Sequence, residues 1–300
     1  MAKRKNKKVT VNRNYKDTVF RKLFSDRRNL LSLYNAINGT AYTDETKLEI
    51  VTLENAIYMG MKNDLAFIID TNLFLYEHQS TYNPNMPLRD LFYISSEYQK
   101  LVDRKSLYSS ILLKLPAPNF IVFYNGKRKM PDRWTNCLSE SYENQQGEPN
   151  LELKVVTINI NRDCNRQLME QCRILGEYAQ YVEKVRENAE TMSLDTAVKE
   201  AVDECIQKGI LADFLRVNCA EVIAMSIFEY DKEEEEQKLQ ATYEKIGEKR
   251  GIQIGEKQGE LKKAKSIAIS LAQEGESVER IARILGETEK TIKEWLAETH

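Results

Sequence analysis

The chain contains 300 residues, enough for one large domain with an extension or for two smaller domains. Its 44 Lys and Arg residues are offset by 46 Asp and Glu residues, which excludes a uniformly basic coat, so any nucleic-acid-binding surface must be local. The composition, 42% hydrophobic and 30% charged, is that of a globular protein rather than a disordered chain. We expect no membrane span, because no apolar run approaches the ~18–20 residues that a span needs.

Cysteine and histidine are too sparse and too scattered to form a metal site. The five cysteines include no C-x-x-C pair, and the two histidines, His78 and His300, are far apart in the sequence. This usage predicts reduced thiols and a cytoplasmic location, and we expect no secretory signal at the basic N-terminus. If the protein binds a metal ion, carboxylates must hold it.

The first 13 residues form a basic segment with six Lys and Arg residues and no acid. We predict a flexible arm, which is either a solvated tail or a segment that contacts phosphate groups. Residues 14–230 form the predicted folded body. Its first element is a helix over residues 15–38, where apolar residues recur at helical spacing and Gly39 stands at the C-cap.

The remainder of the body alternates between strand-like and helical patterns. Predicted strands cover residues 48–53, 64–70, 73–79, 119–124 and 151–160, and predicted helices cover residues 87–115 and 164–229. This mixed order predicts an α/β or α+β fold in which helices cover the faces of a sheet.

A charged segment, residues 231–265, follows the folded body and contains a glycine repeat. The glycines recur every four residues, at Gly247, Gly251, Gly255 and Gly259. Each glycine costs a helix roughly 0.8–1 kcal/mol relative to alanine. We therefore predict a marginal helix or a flexible linker.

Residues 266–300 regain amphipathic order and are predicted to form three short helices that resemble a helix-turn-helix unit. Ser277 and Gly286 bound one of them as N-cap and C-cap. The apolar positions that would form the core of this unit are Ile281, Ala282, Leu285, Ile292, Trp295 and Leu296. Acidic residues outnumber basic ones around the last helix, which leaves two functions open: DNA binding, or interaction and dimerisation.

Two apolar runs flank a polar turn in the segment that contains Asp64 and Glu77, a pattern typical of a β-hairpin. We predict a two-residue loop at residues 71–72. Asp64 then lies opposite Gln79. By the same register, Ala66 lies opposite Glu77.

Side chains alternate with period two along a strand, so Asp64, Glu77 and Gln79 are predicted to emerge on one face. Two carboxylates and an amide suit a hard cation such as Mg²⁺, which polarises a phosphoryl oxygen and activates water for phosphodiester hydrolysis. The alternative is that Asp64 and Glu77 are ordinary polar strand residues. His78 faces the opposite side and is predicted to pack or hydrogen-bond within the fold.

Several short motifs along the body occur together in a known family. In chain order they are residues 15–24, Asn63-Asp64, residues 75–80, Asn125-Gly126 and residues 158–161. In this order and spacing, the chain resembles the recombination-promoting nuclease family, which includes transposase-like proteins and belongs to the PD-(D/E)xK nuclease superfamily. The likeness extends from about residue 15 to residue 230.

The resemblance implies an α/β fold of the PD-(D/E)xK restriction-endonuclease-like type, with a four-stranded mixed core sheet flanked by helices and, here, a C-terminal helical extension. It implies a DNA endonuclease that uses Mg²⁺ or Mn²⁺, with Asp64 and Glu77 as metal ligands. Gln79 occupies the position of the superfamily lysine, as it does in this family. An amide can orient a water molecule but cannot neutralise developing negative charge. Asp17, on the first helix, is an additional acidic candidate, or a charge favoured by the helix dipole.

The missing lysine leaves open which group supplies positive charge. Lys62, Lys100 and Arg89 are candidates by proximity in the sequence, and Lys62 and Arg89 are also candidates for phosphate contact. Arg89 lies one helical turn from Tyr93, so packing beneath the sheet is the alternative for both residues.

Two main functions follow from these patterns, and one half of a toxin–antitoxin or defence pair is a weaker third. The first is a metal-dependent DNA endonuclease (a hydrolase) associated with recombination or transposition. The second is a catalytically degenerate DNA-binding or protein-interaction module that keeps the fold. A homodimer through the nuclease-like domain or the C-terminal helices is a further prediction.

Overall fold

The computed structural model of the chain describes residues 18–51, 65–144 and 146–297. The predicted basic arm, residues 1–13, lies outside these ranges. The chain divides into two compact units, Met1–Glu234 and Glu235–His300, and each is considered by itself.

The first unit is built on a mixed six-stranded sheet. Its strands are β1 (Glu49–Ile50), β2 (Leu65–Ile69), β3 (Asn72–Gln79), β4 (Ala117–Tyr124), β5 (Arg133–Cys137) and β6 (Lys154–Asn159). Their spatial order is β1-β2-β3-β4-β6-β5. The pairs β3–β4 and β4–β6 are parallel and the other neighbours are antiparallel. The prediction of an α/β fold is confirmed, although the sheet has six strands rather than four, and β5 was not predicted.

The hairpin of β2 and β3 has a different register from the predicted one. Asp70 and Thr71 form its loop with left-handed φ values of 45° and 66°, and Ala66 pairs with Leu75 instead of Glu77. The predicted loop, which began one residue later, is therefore wrong. Because the pairing shifts by two residues, Glu77 stays on the same face of the sheet.

Most helices cover one face of the sheet. They are α1 (Val19–Phe24), α2 (Arg27–Asn38), α4 (Arg166–Gln171), α5 (Arg173–Ala189), α6 (Leu194–Lys208) and the start of α7 (Ala212–Gln273). The single helix predicted over residues 15–38 is interrupted, because the Asp26 carboxylate accepts hydrogen bonds from the backbone N–H groups of Arg28 and Asn29 and starts a new helix. Gly39 ends that helix with φ 65°, as predicted.

The core on this face is aromatic. Phe20, Phe67, Tyr76, Phe123 and Tyr178 are all fully or nearly fully buried within one hydrophobic cluster. Their rings meet at centroid separations of 5.0 to 5.6 Å in edge-to-face or tilted pairs. Such pairs add to the stabilisation from apolar burial.

Helix α3 (Met86–Leu101) packs on the other face of the sheet, against Leu73, Leu75 and Val122. It ends fourteen residues before the predicted end at residue 115, because Val102 is extended and a short 3-10 turn, Arg104–Tyr108, follows. This placement brings the first turn of α3 to the end of β3.

The second unit contains the rest of α7 with α8 (Val278–Leu285) and α9 (Glu289–Ala297). The Ser277 hydroxyl caps α8, and Gly286 ends it in the left-handed conformation, as predicted. The predicted core is also confirmed: the buried members are Ile281, Ala282, Ile292 and Trp295, and the partly buried ones are Leu285 and Leu296. The glycine repeat is helical within α7. None of the helices in the described ranges combines the length and apolarity needed to cross a membrane.

Candidate functional site

Glu77 and Gln79 lie at the carboxyl-terminal end of β3. They alternate with His78, so both side chains point to the face that α3 covers, as the period of two predicts. Glu77 is only 7% exposed, and Gln79 is half-buried. A carboxylate at this depth requires partners that offset the loss of its hydration.

Two donors converge on a single oxygen of Glu77. The Gln79 Nε2 and the Arg89 Nη2 each lie 2.9 Å from the Glu77 Oε1. The Gln79 Nε2 also lies 3.0 Å from the Met86 Sδ. No described residue donates a hydrogen bond to the Glu77 Oε2 or to the Gln79 Oε1, so these two oxygens are available to a further partner.

Arg89 places a positive charge beside Glu77. It lies in the first turn of α3, where the helix dipole also favours an anion, and its side chain is 27% exposed. The other candidate on this helix, Lys100, pairs with Glu97 at 2.7 Å. Lys100 is eleven residues further along α3, about 16 Å from Arg89 along the helix axis. Lys62 lies outside the described residues.

Asp90 is a buried acid that the sequence reading missed. It is 4% exposed, on the face of α3 that also buries Met86, Tyr93 and Glu97. Burial and then the negative charge of Glu77 raise the pKa of Asp90 well above its usual value, and the Arg89 guanidinium partly opposes this. The spacing of these four residues, three or four apart, is the helical signal that could have revealed Asp90.

Tyr93 stands among these acids. Burial raises the pKa of its phenol, and the charges of Glu97, Asp90 and Glu77 raise it further. The Tyr93 hydroxyl is buried and has no hydrogen-bond partner among the described residues. The phenol is therefore neutral and can donate a hydrogen bond over the physiological pH range.

The donor set suits a divalent cation only in part. Mg²⁺ and Mn²⁺ prefer carboxylate, amide and water oxygens, and Glu77 and Gln79 each have one such oxygen available. Among residues 18–51, 65–144 and 146–297, no three acidic, histidine or cysteine side chains are grouped to hold a metal ion. The predicted ligand Asp64 and the additional acid Asp17 both lie outside these ranges.

His78 is a structural residue, as predicted. Its ring stacks on Phe20 at a centroid distance of 5.1 Å. Its Nε2 lies 3.1 Å from the Tyr178 hydroxyl. His78 therefore belongs to the aromatic core on the face opposite Glu77.

The chain after β4 closes tightly over the end of β3. The Asn125 N–H donates to the Gln79 carbonyl oxygen at 3.1 Å. A Cβ atom on Gly126 would lie 2.2 Å from the Ser80 carbonyl oxygen. Glycine is therefore required at residue 126, and the end of β4 is held beside the candidate site.

Comparison with known proteins found no relative. No protein-family model, no curated protein and no solved structure matches the chain. The functional proposal therefore rests on the geometry of the residues themselves.

Proposed function

We propose that the protein is a metal-dependent DNA endonuclease of the PD-(D/E)xK type, associated with recombination or transposition. The observation that carries the proposal is the set of Glu77, Gln79 and Arg89 at the end of β3. There the amide of Gln79 and the guanidinium of Arg89 each donate a 2.9 Å hydrogen bond to the buried carboxylate of Glu77. Such a set can bind a cation and a phosphate oxygen side by side.

Each residue has a distinct role in this proposal. Asp64 and Glu77 would hold Mg²⁺ or Mn²⁺. When bound, the ion polarises a phosphoryl oxygen and lowers the pKa of an attacking water. Gln79 orients that water through its amide oxygen, and water attack leaves no covalent intermediate on the chain.

Arg89 takes the electrostatic role that lysine has in the superfamily pattern. Its guanidinium is a planar donor that can bind a phosphate oxygen while it keeps its contact with Glu77. A fixed positive charge beside the scissile phosphate stabilises negative charge that develops in the transition state. In this proposal Arg89 therefore provides both the positive charge and the phosphate contact for which the sequence named it as a candidate.

A second function is favoured by a specific observation. Arg89 already neutralises Glu77 at 2.9 Å, an arrangement that also suits a purely structural ion pair. Under this alternative the protein is a catalytically degenerate module that binds DNA or another protein. The two functions differ in whether divalent metal and DNA cleavage are linked.

Plasmid nicking tests the proposal. Wild type, Asp64→Ala and Glu77→Gln are incubated with supercoiled DNA in Mg²⁺, in Mn²⁺ and in EDTA. The matched control is Glu177→Gln, because Glu177 is also a buried carboxylate that pairs with an arginine, Arg173, but lies on the opposite face of the sheet.

The proposal predicts nicking by wild type and by Glu177→Gln in Mg²⁺ or Mn²⁺. Nicking should stop in EDTA and fall by at least about 100-fold in Asp64→Ala and Glu77→Gln. DNA retention without metal-dependent nicking would favour the degenerate module. DNA as the substrate, and a homodimer through the first unit or the C-terminal helices, remain predictions.

A further inference from the structure

A basic loop leaves β4 directly beside the candidate site. Residues 127–133, which comprise this loop and the first residue of β5, carry four cationic side chains and one carboxylate, whereas the whole chain has a net charge of -2. The loop begins after Gly126, which packs against the Ser80 backbone. The backbone N–H of Asn125, the residue before Gly126, donates a hydrogen bond to the Gln79 carbonyl oxygen. The positive charge is therefore local, at the end of the sheet where the parallel strands β3 and β4 both terminate.

The cations at the start of this loop have no carboxylate partner. Lys127, Arg128 and Lys129 are exposed, and none of them forms an ion pair with a described residue. Many other cations of the first unit are paired, such as Lys22 with Glu221. Three adjacent cations without a carboxylate partner repel one another, and an anion that binds across them offsets this repulsion.

Two of these cations each lie near a half-buried aromatic ring. The Arg128 guanidinium lies 5.4 Å from the centre of the Tyr82 ring, and Lys127 lies 4.8 Å from that of Tyr230. Tyr82 in turn lies 6.3 Å from Trp134. Cations beside aromatic rings are typical of surfaces that bind a phosphate backbone and stack on exposed bases.

We infer that residues 127–133 form a DNA-backbone-binding surface that delivers the phosphodiester to the end of β3. The inference rests on the proposed nuclease function and extends it by naming the surface that holds the substrate. Lys127 and Lys129 contact phosphates as point charges. Arg128, already oriented over Tyr82, contacts the backbone beside a ring on which a base can stack.

An acidic protein is a weaker match for the same loop. A protein partner would require apolar anchors at the centre of the patch. The exposed part of the loop is instead dominated by Lys127, Arg128, Lys129 and Arg133. A backbone with regularly spaced negative charges also explains why the cations adjoin a phosphodiester-cleaving site.

Fluorescence anisotropy in EDTA tests the surface without cleavage. The probes are a fluorescein-labelled 20-base-pair duplex and one of its strands, titrated with full-length protein between 50 and 200 mM NaCl. The test variant is Lys127→Ala with Lys129→Ala. The matched control is Arg104→Ala with Lys105→Ala, two exposed cations in the connection that leads to the start of β4.

We expect the test variant to bind at least about tenfold more weakly at 100 mM salt. Each lost phosphate contact lowers the slope of log affinity against log salt by about 0.9 for a duplex, so the slope should fall by about 2. The control should match wild type. Circular dichroism should show that all variants keep the same fold, since the replaced side chains are exposed.

The outcomes separate this surface from the proposed reaction. Equal affinity of wild type and the test variant, or no binding of either probe by wild type, would overturn the surface. In the first case metal-dependent nicking could still support the reaction. If binding depends on Lys127 and Lys129 but wild type never nicks DNA with metal, the surface stands and the nuclease proposal fails.

Discussion

Charge compensation around Glu77 dominates the candidate site at the scale of single residues. One carboxylate oxygen accepts two hydrogen bonds, from Gln79 and Arg89, while the other accepts none from a described residue. Arg89 and Gln79 thereby replace part of the hydration that the Glu77 carboxylate loses on burial. This asymmetry also leaves one oxygen free to bind a cation.

Removal of Arg89 should expose this dependence. In Arg89→Ala, Glu77 keeps only the amide of Gln79, and we expect the free energy of unfolding to fall by about 2 kcal/mol in urea denaturation. The control is Arg173→Ala, because Arg173 is exposed and Glu177 keeps a second donor, the Leu211 N–H, at 2.7 Å. An equal loss in both variants would contradict a special role for Arg89.

Asp90 should make stability depend on pH. Its pKa in the folded protein is raised by burial and by Glu77, and lowered in part by Arg89. The folded state therefore holds the proton more tightly than the unfolded state, and stability falls as pH rises above the ordinary value of 3.8. Tyr93 and Glu97 face the same buried space.

Asp90→Asn removes this loss. In EDTA at pH 7.5 we expect the variant to be more stable than wild type by about 1 kcal/mol, with no difference near pH 3.5. Urea denaturation across this pH range measures the effect. The exposed Asp213, replaced by Asn, is the control and should show no such gain. A loss of stability in Asp90→Asn at pH 7.5 would show that its ionised form is needed for folding.

The sequence predicts some of these residues but not others. The period of two in β3 is sufficient to place Glu77 and Gln79 on one face, and proximity in the sequence brings Arg89 into consideration. Asp90 escapes notice because an acidic residue on a helix is usually solvated. Helical spacing places Asp90 on the same face of α3 as Met86 and Tyr93, but the burial of that face depends on the packing of α3 against the sheet.

The hairpin loop shows the same limit at the scale of elements. Two-residue loops favour glycine or asparagine where φ is positive, yet the loop of this hairpin contains neither. In the folded chain Asp70 and Thr71 adopt the left-handed conformation, and Asn72 pairs with Ile69 instead. The faces of the hairpin are predictable, whereas its register is not.

Thr71 should be strained, because a β-branched residue has φ 66° there. We expect Thr71→Gly to raise the free energy of unfolding by about 1 kcal/mol in urea denaturation. Asp70→Gly should gain less, since Asp70 accepts a hydrogen bond from the Tyr42 hydroxyl. A loss of stability in Thr71→Gly would contradict the turn conformation.

The elements most open to prediction are those with strong local signals. Helix α8 is bounded by Ser277 and Gly286, and both act as caps. Strand β5 and the end of α3 were missed. Strand β5 mixes polar and apolar residues and forms only by pairing with β6, while α3 ends where Val102 becomes extended. Tertiary pairing therefore decides where β5 forms.

At the scale of the whole molecule, charge is distributed unevenly. The net charge of -2 gives no indication of nucleic-acid binding, yet four cations lie within residues 127–133 beside the end of β3. Composition could predict only that a binding surface must be local. Its position follows from the parallel pairing of β3 with β4, which brings the loop after β4 to Gln79.

Metal binding tests the central claim, that Glu77 is a ligand of a divalent cation, most directly. Isothermal calorimetry with Mn²⁺ should show one site in wild type and in Glu177→Gln, and at least a tenfold weaker site in Glu77→Gln. Equal Mn²⁺ affinity in wild type and Glu77→Gln, or no binding by wild type, would contradict the claim.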